Sequence, residues 1–199
     1  MIIINLKGGL GNQMFEYAAG YSLARDKEVE CKIDLGHYKN QSEFKNETPR
    51  EFLLDFFDTP YEFASEQEIF MVKKQYSRGL LPILKLDSYL IMSNIIKYPL
   101  LSRISSEVYM DGYFQNEGYF IKYERDIRKI FNLKARYITK DFLKMCQEIK
   151  GSCNNSISIH IRRGDYVTNT QANKWHGLLS KYYYYNALEY IKEEKGIEK

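Results

Sequence analysis

The first 35 residues constrain the fold more than any other stretch, because they read as a strand, a glycine loop, a helix and a second strand. Ile2–Leu6 is a short apolar run of the kind buried in parallel sheets. Lys7–Asn12 follows as a glycine loop, with Asn12 predicted to cap a helix whose apolar residues recur at helical spacing over residues 13–26. Glu28–Leu35 then alternates apolar and polar residues with a period of two. This order predicts the start of a βαβ unit and an α/β fold.

Composition excludes several classes of function. The chain has 199 residues and a net charge of +3, from 29 basic and 26 acidic residues that are interspersed along it. That balance argues against a dedicated nucleic-acid-binding protein. Cys31, Cys146 and Cys153 have no C-x-x-C spacing, so neither a disulfide framework nor a zinc site is expected.

The location predicted from the sequence is the cytoplasm. The amino terminus lacks a basic leader and a cleavage site, so no signal peptide is expected. The most apolar long segment, residues 80–101, is interrupted by charges and prolines, which is unfavourable for a membrane span. Peripheral association with the inner face of a membrane stays open.

Ser156–Tyr166 reads as a buried strand that runs into a charged turn. Three isoleucines alternate with polar residues, so His160 and Arg162 share the opposite face. Gly164 and Asp165 are residues typical of a sharp turn. Ligands of open α/β sheets bind beyond the carboxyl ends of strands, and a guanidinium beside an imidazole suits a phosphate. Taken alone, an R-G-D turn is as often structural as functional.

Three segments together resemble one enzyme family. Residues 160–167, HIRRGDYV, are similar to the H-x-R-R-G-D-Y signature of the bacterial α-1,2-fucosyltransferases, glycosyltransferase family 11. Gly8–Ala18, GGLGNQMFEYA, resembles that family's amino-terminal motif and departs from it only at Glu16. Asp111–Phe120 is similar to its D-G-Y-x-Q segment. The three segments occur in the family's order, and the resemblance extends over the whole chain.

The resemblance implies a fold and a reaction. The fold would be GT-B-like, with two Rossmann-like halves, of which residues 1–150 form the acceptor side and residues 151–199 begin an incomplete GDP-fucose-binding domain. The reaction would be inverting transfer of L-fucose from GDP-fucose to the 2-hydroxyl of a galactose-terminated glycan. No cofactor is implied, and no metal, since no D-x-D pair occurs. Because the family's carboxy-terminal S-D-D and Asn-Ser-Trp motifs do not occur here, we expect the 199 residues alone to transfer no fucose.

The resemblance also assigns roles to individual residues. Arg162 and His160 would hold the diphosphate of the donor and stabilise the charge that develops as the sugar leaves. The catalytic residues are then Arg162, His160 and Asn12, and the substrate-binding residues are Gly8, Gly9, Gly11, Asn12, His160, Arg162 and Asp165. His176 matches a family H-G pair, but a lone histidine is more often a packed or surface residue. The catalytic base stays open among Asp34, Glu16 and Asp165.

Two alternatives remain at this point. The glycine loop, with Asp34 about twenty residues further on, imitates a dinucleotide-binding fingerprint and would suggest a nucleotide-dependent oxidoreductase. That match fails at Met14, where a third small residue is needed for close helix–strand packing. The other alternative is an inactive or glycan-binding fragment of such a glycosyltransferase.

Further helices follow from capping signals. Ser65–Tyr76 is predicted as a helix with Ser65 as its N-cap and Glu68 at the capping-box position. Thr139 is predicted to cap a helix that ends near Gly151, and Ser180 a last one.

Overall fold

The computed structural model describes residues 1–43, 48–77, 89–90, 107–152, 156–170, 173–174 and 177–196. Backbone contacts divide the chain into two compact units, Met1–Tyr137 and Ile138–Lys199. The helix over residues 140–151 therefore groups with the later residues, whereas the sequence pattern places it before a boundary at residue 150. The assignment of acceptor and donor roles to two domains stays a prediction.

The first unit is built on a sheet of five parallel strands, which confirms the α/β prediction. The strands are β1 (Ile2–Asn5), β2 (Cys31–Asp34), β3 (Glu62–Phe63), β4 (Tyr89–Leu90) and β5 (Val108–Met110). Their order in the sheet is β3-β2-β1-β5-β4. The central strand β1 pairs Ile2 with Cys31 on one side and with Val108 on the other.

Helices connect and flank these strands. In the first unit they are α1 (Leu10–Lys27), α2 (Gly36–Lys39), α3 (Glu66–Ser77) and α4 (Glu124–Ile130), with short 3₁₀ turns at Gln41–Glu43, Leu54–Phe56, Glu117–Tyr119, Ile121–Tyr123 and Ala135–Tyr137. In the second unit they are α5 (Lys140–Gly151), α6 (Gly164–Thr168) and α7 (Lys181–Lys195). Within the described ranges, no helix combines the length and apolar character needed to cross a bilayer.

Strand β1 is buried on both faces because its side chains alternate between two clusters. Ile2 and Ile4 belong to the main core, which includes the α1 residues Tyr17 and Leu23. Ile3 points the other way, into a smaller cluster that includes Val72 of α3. All three isoleucines are fully inaccessible to solvent, and each such burial stabilises the fold by about 1.5–3 kcal/mol. The continuous apolar run thus reflects a strand covered by helices on both sides.

Close packing of α1 on β1 depends on Gly20. A Cβ atom at this position would overlap the side chain of Ile4 and lie 3.6 Å from the sulfur of Met110. The small residue that a dinucleotide-binding fold needs near Met14 is therefore not required here, because helix and strand approach each other further along α1.

The predicted N-cap of α1 is wrong. The helix begins at Leu10, and the residue in the N-cap position is Gly9, whose extended backbone carries the chain into the helix without a side-chain cap. The N–H of Gln13 already donates to the carbonyl oxygen of Gly9, at 3.1 Å. Asn12 lies inside the first turn, and its side chain is used elsewhere.

Two other predicted caps are confirmed. Ser65 and Glu68 form a reciprocal capping box: the N–H of Ser65 donates to Glu68 Oε2 at 2.8 Å, and the N–H of Glu68 donates to Ser65 Oγ at 3.2 Å. Thr139 Oγ1 accepts from the N–H of Phe142 at 3.1 Å. Ser180 occupies the N-cap position of α7 but makes no side-chain capping bond.

The predicted buried strand at Ser156–Arg162 is also wrong. Residues 156–163 have no regular secondary structure, and the three alternating isoleucines, Ile157, Ile159 and Ile161, are 40%, 49% and 53% exposed. A strand requires a neighbour for its backbone groups and apolar cover for its side chains. In the described part of the second unit there is no strand with which this segment could pair.

Candidate functional site

The ends of β1 and β5 define the candidate site. From β1 the chain proceeds to β2 and β3 on one side, whereas β5 and β4 lie on the other side. In open α/β sheets such a reversal forms a crevice where ligands bind, beyond the carboxyl ends of the two strands at which the order reverses, here β1 and β5. Lys7 follows β1, and Asp111 follows β5 directly, so both lie at this edge.

Lys7 and Asp111 form an ion pair at the edge, although 104 residues separate them in sequence. Lys7 Nζ lies 2.8 Å from Asp111 Oδ1, and the same oxygen accepts from Asn5 Nδ2 at 3.2 Å. The Lys7 ammonium also lies 4.9 Å from the centre of the Tyr113 ring. Burial lowers the pKa of Lys7, but the hydrogen bond to Asp111 and its charge outweigh that effect, so the pKa is raised overall. Lys7 therefore stays charged and fixes one oxygen of the carboxylate.

The glycine loop leads from this ion pair into α1. Gly8 has a φ of +72°, the left-handed region that favours glycine, and a Cβ atom there would overlap the side chain of Asn12. The carbonyl oxygen of Gly8 accepts from Tyr38 Oη at 2.9 Å and from Gln13 Nε2 at 3.2 Å. Cβ atoms built on Gly9 and Gly11 would meet nothing within 4 Å among the described atoms. Tyr38 and Gln13 thus hold the Gly8 carbonyl in place, whereas open space lies beside the backbone of Gly9 and Gly11.

Asn12 joins the glycine motif to the D-G-Y-F-Q segment. Its Oδ1 accepts from Gln115 Nε2 at 2.7 Å. Between Asp111 and Gln115 the backbone turns through Phe114, which has a φ of +46° and a fully buried side chain. A positive φ is costly for a bulky residue, and burial of the ring in the core offsets that cost. Phe114 therefore anchors the segment that presents Asp111 and Gln115 to the glycine loop.

Glu16 lies directly behind the site. It is fully buried, and its Oε2 accepts from the backbone N–H of Lys7 at 2.9 Å. Burial raises its pKa to about 9, while the hydrogen bond from Lys7 opposes the shift. Its Oε1 has no hydrogen-bond partner within the described residues. Burial thus favours the protonated form of Glu16 at neutral pH and keeps its side chain from solvent, so Glu16 lacks the access that a catalytic base requires.

Asp34 is engaged within the fold. Its Oδ1 accepts from the backbone N–H of Gly36 at 2.7 Å, and its Oδ2 accepts from Tyr109 Oη at 2.7 Å. The residue is 8% exposed. Both oxygens thus stabilise the end of β2 and its contact with β5, so Asp34 is a structural residue and not an available base.

The remaining predicted site residues belong to the second unit. His160 and Arg162 are exposed in the irregular segment before α6. Gly164 has a φ of +30° as a turn residue would, but it begins the short helix α6. The side chain of Asp165 and the whole of His176 lie outside the described residues. The role of His160 and Arg162 in holding a diphosphate stays a prediction.

The structure therefore brings together Gly8, Gly9, Gly11 and Asn12, and adds three residues that sequence reasoning missed. These are Lys7, Asp111 and Gln115. A signal for Asp111 was present, because it begins the segment that resembles the family's D-G-Y-x-Q motif. Among the described residues, no group of three or more His, Cys, Asp or Glu side chains could hold a metal ion. Independence of metal stays a prediction.

Comparison with known proteins places these features in one family. The model of glycosyl transferase family 11 matches residues 1–197. An α-1,2-colitosyltransferase from Escherichia coli is 34% identical over 97% of this chain, which spans 64% of that relative's length. The O-antigen biosynthesis glycosyltransferase WbnK from Escherichia coli is 32% identical over 96% of this chain and 68% of the length of WbnK. No solved structure matches the chain. The chain belongs to glycosyltransferase family 11.

Proposed function

We propose that the protein transfers L-fucose from GDP-fucose to the 2-hydroxyl of a galactose-terminated glycan, with inversion and without a metal ion. The observation that carries the proposal is the convergence of two family motifs at the edge of the sheet, through the Lys7–Asp111 and Asn12–Gln115 contacts. Family membership over residues 1–197 makes the protein a glycosyltransferase and leaves the oxidoreductase alternative without support. The donor and acceptor are inferred from the motif resemblance.

The residues divide the work between the two substrates. In this proposal Arg162 and His160 hold the diphosphate, since a guanidinium offers a planar fork of donors to its oxygens. The open glycine loop, at the amino terminus of α1, favours a partly negative ligand group, because the first N–H groups of a helix have no partner within the helix. Lys7, Asp111, Asn12 and Gln115 then line the acceptor side.

Transfer breaks the bond between C1 of fucose and the β-phosphate oxygen, and forms a bond from C1 to the acceptor oxygen. Negative charge grows on GDP as the bond breaks, and prearranged cationic donors stabilise it. Loss of one such donor typically lowers the rate by about 100-fold or more. The chemistry needs no cofactor beyond the donor.

A second donor sugar is colitose, favoured by the 34% identity to an enzyme named as an α-1,2-colitosyltransferase. Colitose is L-fucose that lacks the 3-hydroxyl, so both sugars would place the same C1 and leaving group in the site. Transfer assays with GDP-fucose and with its colitose counterpart, at equal concentrations, distinguish the two donors.

Ligand-dependent stability tests the nucleotide. A ligand that binds only the folded protein raises its free energy of unfolding by RT ln(1 + [L]/Kd), and its melting temperature rises as a result. We expect GDP to raise the melting temperature of the protein, and UDP and NAD to leave it unchanged. The rise with GDP is expected to be the same in the presence of EDTA and in the presence of Mg²⁺. Protection by NAD or UDP alone contradicts the proposed donor, and protection that disappears with EDTA and returns with Mg²⁺ contradicts metal independence.

A further inference from the structure

We propose that Asp111 is the proton acceptor for the acceptor hydroxyl, an inference that rests on the proposed function and adds the catalytic base to it. The two oxygens of this carboxylate have different surroundings. Oδ1 accepts from Lys7 Nζ at 2.8 Å and from Asn5 Nδ2 at 3.2 Å. Oδ2 makes no hydrogen bond within the described residues, and the side chain is 28% exposed. One oxygen is therefore fixed and the other is open at the crevice.

Accessibility separates Asp111 from the other carboxylates near the crevice. Glu16 is fully buried behind the loop, and both oxygens of Asp34 accept hydrogen bonds inside the fold. A general base must come within hydrogen-bond reach of the proton that it removes. Within the described part of the first unit, Asp111 is the carboxylate at the carboxyl ends of β1 and β5 that meets this requirement.

The neighbours of Asp111 suit a base that must stay oriented. Lys7 and Asn5 hold Oδ1 from the β1 side, so rotation of the carboxylate would break both hydrogen bonds. The backbone on the β5 side is fixed by the buried ring of Phe114, three residues further on. A base that is held in this way loses little freedom when the acceptor binds.

The proton of the acceptor 2-hydroxyl moves to Asp111 Oδ2, and the oxygen lone pair forms the bond to C1 of fucose. The C1–oxygen bond to the β-phosphate breaks, and its electron pair leaves with GDP. The proton on Asp111 then passes to solvent, to which the side chain is accessible.

The test is Asp111→Asn in the complete product of the gene that encodes these 199 residues. Asparagine is isosteric and keeps one oxygen for Lys7 and Asn5, but it cannot take a proton. We expect kcat for fucose transfer to fall by about 100-fold or more, the range that a general base contributes. GDP affinity, measured by calorimetry, is expected to stay at the wild-type value.

The matched control is Asp126→Asn. Asp126 is a carboxylate of the same unit that pairs with Arg25 at 3.7 Å, outside the site. We expect its kcat to equal that of the wild type. If Asp111→Asn melts early because the Lys7 ammonium has lost its ion pair, Lys7→Met/Asp111→Asn removes both charges. Its kcat is then compared with that of Lys7→Met alone.

The outcomes separate the inference from the function on which it rests. If the wild type transfers fucose and Asp111→Asn lowers kcat by less than about 100-fold, the role of Asp111 is overturned and the proposed function stays intact. A parallel loss of GDP affinity also overturns it, because Asp111 would then act on the donor. A wild type that transfers no sugar from GDP-fucose overturns the proposed function itself, and the inference with it.

Discussion

Glu16 is the residue at which the chain departs from its family's amino-terminal motif, which has glutamine there. Its burial holds it in the protonated form at neutral pH, and a protonated acid resembles glutamine in offering one acceptor and one donor. The acceptor oxygen receives the N–H of Lys7. In the folded protein the two residues are therefore nearly equivalent while the acid stays protonated, and they differ in the unfolded chain, where glutamate ionises above about pH 4.5 and glutamine does not.

We predict that Glu16→Gln flattens the dependence of stability on pH. The pKa of Glu16 is raised from 4.5 to about 9 in the folded protein, so its contribution to stability is complete below about pH 4.5 and is lost as the pH rises to about 9. Across that window the free energy of unfolding of the wild type falls by up to about 1.4 kcal/mol per pH unit relative to the variant.

Urea unfolding of both proteins from pH 5 to pH 9 measures this difference. The control is Glu124→Gln, which removes an exposed carboxylate from the same unit. Parallel curves for wild type and Glu16→Gln would contradict the assignment of a buried neutral acid.

We predict that Arg162→Lys weakens GDP binding by about 10-fold or more, although the charge is kept. A lysine ammonium cannot reproduce the bidentate fork, and hydrogen bonds to charged groups contribute about 1.5–3 kcal/mol each. Calorimetric titration with GDP measures the change. Arg163→Lys is the control, because the sequence pattern assigns the neighbouring arginine to the fold and not to the donor. Equal affinities for wild type and Arg162→Lys would show that the guanidinium does not hold the diphosphate.

At the scale of elements, local patterns predicted the first unit well. The period of the apolar residues located β1, α1 and β2 within a few residues, and the Ser65–Glu68 capping box located the start of α3. The same period failed at residues 156–162, because alternation shows which residues share a face but not whether another strand is available to pair with them.

The candidate site was predicted in part for a related reason. The glycines and Asn12 are contiguous in sequence, so a motif was enough to identify them. Lys7 and Asp111 come together only because β5 pairs with β1, a neighbour relation between segments about a hundred residues apart. No local pattern specifies that pairing, since the order of strands in a sheet depends on how the connecting helices pack.

We predict that Gly20→Ala destabilises the protein by about 1–3 kcal/mol, because the added methyl group overpacks the contact between α1 and β1. Alanine is the better helix former, so propensity alone would give a change of opposite sign. Gly11→Ala is the matched control: it lies in the same helix, where a Cβ atom meets nothing within 4 Å. Urea unfolding measures both, and a Gly20→Ala variant as stable as Gly11→Ala would contradict the close packing.

At the scale of the whole molecule, the two units differ in how their apolar side chains are covered. The first unit has a continuous core around β1 and α1. In the described part of the second unit no residue is buried, and α5 exposes Phe142, Leu143, Met145 and Ile149. Local stability should follow this difference, because segments with few buried contacts open most readily.

Hydrogen exchange should separate the units. We expect the amides of β1, which are paired on both sides, to exchange at least about 100-fold more slowly than those of residues 156–161. Exchange followed by mass spectrometry of peptic fragments measures this. Equal protection of the two segments would contradict the irregular, exposed conformation described for residues 156–163.

The proposed function of this member of family 11 is the transfer of fucose from GDP-fucose to a galactoside 2-hydroxyl. The most direct measurement incubates the complete gene product with GDP-fucose and lactose and determines the product's linkage by nuclear magnetic resonance. Lactose with a 2-deoxygalactose unit serves as the control acceptor. We expect an α-linked fucose on the 2-oxygen of galactose and no product from the control acceptor. Fucose attached at another position, or transfer to the 2-deoxy acceptor at an equal rate, would contradict the proposed function.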